Sequence, residues 1–168
     1  MMNAPVRTYL LLGSNQGDRQ TFLNAARVRL EILAGPLVAQ SAVYATAPWG
    51  KTDQPEFLNR VVVLDTRLDP SLLLTTILAI EKSLGRTRSE KWEPRTMDID
   101  ILLYGDQVVH EPGLDIPHPA MAERRFVLTP LAEVAGDVVH PVTGTTISEM
   151  LLQCPDTLEV KRIVTSGQ

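Results

Sequence analysis

The sequence predicts an α+β sandwich built on a β-α-β-β-α-β core, and three observations carry that expectation. Apolar periodicity alternates between strand-like and helix-like stretches in that order. The second and third strands adjoin with no helix between them, which argues for antiparallel pairing rather than a doubly wound parallel sheet. Finally, two helices carry recognisable start and stop signals.

The first strand covers Thr8–Leu12 and runs into GSNQGD, a Gly/Ser/Asn/Asp cluster that reads as a turn without the spacing of a dinucleotide-binding loop. Asp18 is placed to cap a helix from Arg19 to about Leu33, with Phe22, Ala26, Leu30 and Leu33 at helical spacing and Gly35-Pro36 as the stop. Leu37–Tyr44 is a second strand and Phe57–Asp65 a third. Between them lies TAPWGKTDQPE, a Pro/Gly-rich loop long enough to suggest function.

Asp69 is a natural cap for the second helix, with Pro70 at its first position and Gly85 beyond its end. Leu73, Ile77, Ile80 and Leu84 form its buried stripe. A basic loop follows, and then a strand over Met97–Tyr104. A short hairpin is expected from Gly105-Asp106 to Val108-Val109. Helical segments are expected over Pro119–Phe126, Pro130–Ala135 and Thr146–Leu152, and a last strand over Leu158–Val164. The pattern corresponds to a ferredoxin-like α/β sandwich with additional C-terminal helices and a strand, forming a single domain over 1–168.

Composition excludes several classes. The chain has 168 residues, 44% of them hydrophobic and 21% charged, as expected of a globular domain with a substantial core. A net charge of −4 gives no overall attraction to nucleic acid or anionic membrane. No apolar run is long enough to span a bilayer, and the N-terminal stretch lacks the pattern of a signal peptide. One cysteine, Cys154, permits no internal disulfide and fits a reducing cytoplasm.

The most informative stretch is RTMDIDILLYG, residues 95–105. Asp98 and Asp100 interrupt an otherwise apolar strand two positions apart, so their side chains share one face. Two carboxylates there repel each other and are costly to desolvate. Either they lie at an exposed edge, or a divalent cation sits between them. Magnesium suits a few carboxylates supplemented by phosphate oxygens and water. The preceding loop carries Arg86, Arg88, Lys91 and Arg95, which is either a solvated surface or a cradle for a polyphosphate. A phosphate-binding P-loop and the protein-kinase motifs are both missing.

Trp49, Phe57, Asn59 and Phe126 offer aromatic faces and an amide edge suited to a flat heterocycle, although core packing would also explain the phenylalanines. The three histidines lack the spacing of a zinc site. His118, in IPHP, reads either as a phosphate or ribose contact or as a helix cap.

GSNQGDR, TAPWG…DQPEFLN, GRTRSEKWEPRTMDIDILLYG and IPHPAMAERRFVLTPL together resemble the 6-hydroxymethyl-7,8-dihydropterin pyrophosphokinases of folate biosynthesis, over about Tyr9 to Ile147. The resemblance implies a cytoplasmic, monomeric enzyme without nucleic-acid or membrane partners. Such an enzyme transfers the diphosphate of ATP to the pterin hydroxymethyl group, releases AMP and uses two Mg²⁺.

Carried onto this chain, the resemblance makes Asp98 and Asp100 the metal ligands and places Arg86 and Arg95 with them in catalysis. Arg88, Trp92, His118 and Arg124 become ATP contacts, with Glu81 and Ile101 near the nucleoside. Asn59 and backbone groups of Thr46, Ala47 and Trp49 would read the pterin edge, and Phe57 and Phe126 would sandwich its ring. Lys91 and Glu93 depart from the Arg and Gly common in the family. Two other readings of the sequence are a Mg²⁺-dependent nucleotide hydrolase and a non-catalytic RNA-binding module of the same fold.

Overall fold

A computed structural model describes residues 4–46, 56–85 and 97–163. The elements run β1 (Val6–Ser14), α1 (Arg19–Leu33), β2 (Leu37–Gln40), β3 (Val43–Thr46), β4 (Phe57–Thr66), α2 (Pro70–Ser83), β5 (Asp98–Tyr104), β6 (Val109–Glu111), β7 (Leu114–Ile116), α3 (Arg125–Ala135), α4 (Ile147–Gln153) and β8 (Val160–Ile163). A short 3₁₀ turn, Met121–Glu123, precedes α3.

The main sheet is ordered β5-β1-β4-β3-β8, with β2 also on β4. Every pairing in it is antiparallel. β1 and β4 form the centre and pair along their whole length, from Val6 opposite Thr66 to Ser14 opposite Leu58. The chain from β1 through α1 to β2 and β3 skips the place later filled by β4, which gives the expected core.

Alternation of side chains builds two cores, one on each face of the sheet. Leu10, Leu12, Leu58, Val62, Leu64, Ile99 and Ile101 face α1 and α2, meeting Leu23, Ala26, Leu30, Leu73, Ile77 and Ile80. Tyr9, Leu11, Val61 and Val63 face the other way, against Val127, Leu128, Leu131, Ile147 and Met150 of α3 and α4. The C-terminal elements therefore add a second helical layer.

α1 starts at the expected cap, where Asp18 Oδ1 accepts from Thr21 N at 3.2 Å. At its other end, a Cβ on Gly35 would lie 2.1 Å from the Asp65 carbonyl oxygen, so the turn onto the sheet admits only glycine. Asp69 caps α2 by accepting from Leu72 N at 2.8 Å.

Several expectations change. The predicted strand Leu37–Tyr44 is two strands, because Ser41 and Ala42 break the ladder and their polar groups turn to Val61, Arg60 and Glu133. Leu33 is 54% exposed and Leu23 takes the buried position, one residue around the helix from Phe22. The hairpin lies at Val109–Ile116, turning over Pro112-Gly113, rather than at Gly105–Val109. The segments expected at Pro119–Phe126 and Pro130–Ala135 become a 3₁₀ turn and one helix containing Pro130. A missing N–H at Pro130 costs one helical hydrogen bond, and burial of Val127, Leu128 and Leu131 offsets it.

In the loop after α3, His140 is 7% exposed and its Nδ1 accepts from Val142 N and Thr143 N, both at 3.2 Å. Burial holds its pKa below the ordinary value, so the neutral ring is the form that fits. Because the folded pKa is the lower one, this contribution is complete above about pH 6.5 and is lost as pH falls toward the folded value. Part of the loss of stability between pH 7 and 5 is therefore absent in His140→Asn, whose amide oxygen can accept the same bonds without titrating. His140→Ala costs about 1–2 kcal/mol at pH 7 by denaturant unfolding.

Candidate active site

The polar residues gather at one end of the sheet, on the face covered by α3. Gly13 of β1 stands opposite Asp98 of β5 on one side and Asn59 of β4 on the other. Asn59 in turn stands opposite Tyr44 of β3, and Phe57 opposite Thr46. One row across four strands thus reads Asp98, Gly13, Asn59, Tyr44, with Asp100 one row deeper, opposite Leu11.

The register explains why the two aspartates can occupy this strand. Both are half-buried, while Ile99 and Ile101 between and beyond them are buried against α1 and α2. The sequence pattern places Leu103 with those isoleucines. Instead, the β1–β5 register shifts between Tyr9 and Leu10, leaving Leu102 as an extra residue. Leu102 and Leu103 both enter the α3-side core, and Tyr104 returns to the α1/α2 side. Tyr104 is anchored there by donating its hydroxyl to Leu68 O at 2.7 Å.

β5 is an edge strand, and Glu81 of α2 addresses its outer side. This carboxylate is 3% exposed, and its Oε2 accepts from Ile99 N at 2.7 Å. It holds the strand between the two aspartates. Of the two residues expected near a nucleoside, Ile101 faces the α1/α2 core and the Glu81 carboxylate sits at the outer edge of β5, on the N–H between the two aspartates.

Asn59 is 3% exposed and donates from Nδ2 to Thr46 Oγ1 at 3.2 Å, which fixes the amide's orientation. A Cβ at Gly13 would stand 2.7 Å from Asn59 Oδ1. Gly13 thus leaves room for the Asn59 side chain, which packs against it and which any other residue would displace. The sequence signal for this was a glycine inside a strand pattern, here read only as the start of a turn.

The second wall comes from the chain after β7. His118 N donates to Leu102 O at 3.0 Å, tying this segment to β5. Its Nδ1 accepts from Ala120 N at 3.3 Å, leaving Nε2 as the donor of the neutral ring. Burial and then the Arg124 charge lower the His118 pKa, while Asp98 acts against them. The three groups therefore share one electrostatic environment. The Arg124 guanidinium carbon lies 5.9 Å from the centre of the Phe126 ring, a cation–π distance. Phe126 rests against the α3-side core.

Asp98, Asp100, Asn59, Thr46, Phe57, His118, Arg124 and Phe126 are thus carried by elements that meet on this face. Ala47, Trp49, Arg86, Arg88, Trp92 and Arg95 lie outside the described residues. In the chain, residues 47–55 follow Thr46 and residues 86–96 precede Met97.

Strand order and helices make this a ferredoxin-like domain, with polar residues gathered at one end of its second face. A family model described as 7,8-dihydro-6-hydroxymethylpterin-pyrophosphokinase (HPPK) matches residues 9–136, and the chain belongs to that family.

Among similar proteins, a 2-amino-4-hydroxy-6-hydroxymethyldihydropteridine pyrophosphokinase of Methylorubrum extorquens is 48% identical over 146 residues, covering 86% of this chain and 91% of the relative. One of the same name from Pseudomonas aeruginosa is 45% identical over 150 residues, covering 89% and 92%. The fold is also that of a Plasmodium falciparum HPPK-DHPS chain, in a crystal structure with pterin and p-hydroxybenzoate. There the TM-score is 0.73 at 18% identity, covering 90% of this chain and 43% of that longer one.

Gly13→Ala is expected to displace Asn59 and break its bond to Thr46. Unfolding measurements should register a loss of about 1–3 kcal/mol, and the Asn59 side-chain amide resonances should shift in a ¹⁵N-correlated NMR spectrum. An unchanged amide signal would contradict the close approach.

Proposed function

We propose that this chain is a diphosphokinase that transfers the diphosphate of ATP to the hydroxymethyl group of 6-hydroxymethyl-7,8-dihydropterin, giving the pterin diphosphate and AMP for folate biosynthesis. Membership of the family supports the activity. The observation in the fold that carries it is the row Asp98–Gly13–Asn59, which sets a ring-reading amide, packed on Gly13, in register with the strand that carries the carboxylate pair.

In this reading the pterin ring lies over Gly13, its edge hydrogen-bonded to Asn59 and to the Thr46 end of β3. Phe57 and Phe126 supply its apolar faces, and backbone groups of Ala47 and Trp49 would join Thr46 in reading the ring edge. Arg124 and the Nε2–H of His118 donate to phosphate oxygens. Glu81 and Ile101 support the nucleoside side, with Arg88 and Trp92 from the basic loop. Arg86 and Arg95 neutralise charge that develops on the transferred group.

The hydroxymethyl oxygen attacks the β-phosphorus in line. A new oxygen–phosphorus bond forms, the bond to the oxygen shared with the α-phosphorus breaks, AMP leaves with that oxygen, and the hydroxyl proton passes to solvent. The protein's share is orientation, water exclusion and charge complementarity.

Asp98 and Asp100 fit a divalent cation: they share one half-buried face, and Gly13 opposite Asp98 crowds neither. Among the described residues no three acidic, His or Cys side chains gather to hold a metal. An ion held by two carboxylates would draw its other ligands from phosphate and water. The two carboxylates would hold two Mg²⁺, which when bound neutralise the triphosphate and make its β-phosphorus more electrophilic.

The whole chain, 1–168, acts as one pyrophosphokinase domain, monomeric and cytoplasmic, with no nucleic-acid or membrane partner. Among the described residues no helix is long and apolar enough to cross a membrane. α3 and α4 cover the sheet face that an RNA-binding module would present.

AMP release from ATP should require the hydroxymethyl-pterin. Release at the same rate without it would favour a nucleotide hydrolase, and no release in either case would reject both. Asp100→Ala should lower kcat by at least about a hundredfold with a small change in Tm. Chelation by EDTA should abolish turnover, and added MgCl₂ should restore it.

A further inference from the structure

The junction between β2 and β3 contains a polar cluster that the proposed chemistry does not use. A single peptide unit, Ser41–Ala42, is held from both sides. Arg60, 5% exposed, donates from Nε to Ser41 O at 2.9 Å. Glu133 of α3 accepts from Ala42 N with both carboxylate oxygens, at 3.2 and 3.0 Å. Two positions along β3, the Tyr44 hydroxyl donates to Glu133 Oε1 at 2.6 Å. Ser41 Oγ completes the junction, accepting from Val61 N at 3.0 Å and donating to Ala42 O at 2.7 Å.

The cluster links the two walls of the candidate site. Tyr44 is the register partner of Asn59, and the same strand ends at Thr46, to which Asn59 donates. Glu133 lies two turns along the helix that begins beside Arg124 and carries Phe126. The opposite end of that helix is held separately. Asp156 Oδ2 accepts from Arg125 N at 2.9 Å, and Val160, four residues further on, pairs with Thr46. α3 therefore lies antiparallel to β3. Its start is fixed at the Thr46 end by Asp156, and its second half at the Ala42 end by Glu133.

We propose that Glu133 and Tyr44 form a positioning pair that sets the spacing between Phe126 and the Thr46–Asn59 edge, and so the width of the slot for the pterin ring. The pair touches no reacting atom. A charged acceptor bonded to both a buried hydroxyl and a backbone N–H makes a short, directional link, which adds to the Asp156 bond at Arg125 N a second anchor along β3. Binding of a flat ring against β3 depends on this spacing, whereas the phosphate donor Arg124 precedes the Asp156 anchor and depends on that bond instead.

The inference rests on the pterin reading of the site, and the experiment separates the two. Tyr44→Phe and Glu133→Gln are mild changes, the second retaining an oxygen for the tyrosine. Calorimetry gives Kd for 6-hydroxymethyl-7,8-dihydropterin and for a non-hydrolysable ATP analogue, and steady-state kinetics gives KM and kcat.

Each single variant should weaken pterin binding and raise its KM about tenfold, and the double variant should be little worse than either, since the two residues act through one contact. The ATP-analogue Kd and kcat at saturation should stay within about twofold, the signature of lost ring binding alone. Unchanged pterin Kd in both variants, with or without a lower Tm, would overturn the proposal, and so would equal weakening of both ligands. A wild-type protein that neither binds the pterin nor releases AMP would overturn the functional reading, and this inference with it.

Discussion

The register of β1 against its two neighbours is the constraint on which the rest depends. Side chains alternate across a strand, so a slip of one residue exchanges everything on one face for everything on the other. In the observed register Asp98, Asp100 and Asn59 share the face toward α3, while Leu10, Leu12, Ile99 and Ile101 fill the core against α1 and α2. A slip of β5 would bury two carboxylates among those aliphatics, at a cost of several kcal/mol each. The register that places the site is thus the register that the hydrophobic core enforces. The extra residue at Leu102 lets both requirements hold along one short strand.

Much of this was legible in the sequence, and the reasons differ by element. α1 and α2 announced themselves through Asp18, Asp69 and Pro70, because capping is a local interaction between residues close in the chain. The shared face of Asp98 and Asp100 followed from period two alone. The misplacement of Leu103 did not, since the bulge that shifts it arises from pairing with β1, a segment ninety-odd residues away in sequence. Division of the second strand at Ser41 and Ala42 was equally hidden, for it depends on Arg60 and Glu133. The continuous helix through Pro130 was lost because proline is a local stop signal and the burial that overrides it is tertiary.

Of the candidate site, the residues with an unusual side chain stand out in the sequence and those defined by context do not. Aspartates in an apolar strand attract notice on their own. Gly13 matters because its missing side chain makes room for that of Asn59, and that is visible only across the sheet. Tyr44 and Glu133 each look ordinary, one a strand aromatic and the other a helix-surface acid. Their meeting buries a hydroxyl against a carboxylate, and burial together with that bond pushes the tyrosine pKa up to about 12. The phenol therefore stays protonated and a hydrogen-bond donor throughout the neutral range.

The route of the last described strand bears on how the protein comes into being on the ribosome. The central strands and both helices of the first layer are contained in the chain up to Tyr104. The carboxylate that holds the start of α3 comes from Asp156, and the strand that closes beside β3 comes after it. A nascent chain grows from its N-terminal end at roughly 5–20 residues per second. The first core can therefore assemble some seconds before the anchor for the site-bearing helix has been translated. The growing polypeptide can complete its first core before the anchor of α3 exists, so a product ending before Asp156 would be compact yet would leave the start of that helix unheld.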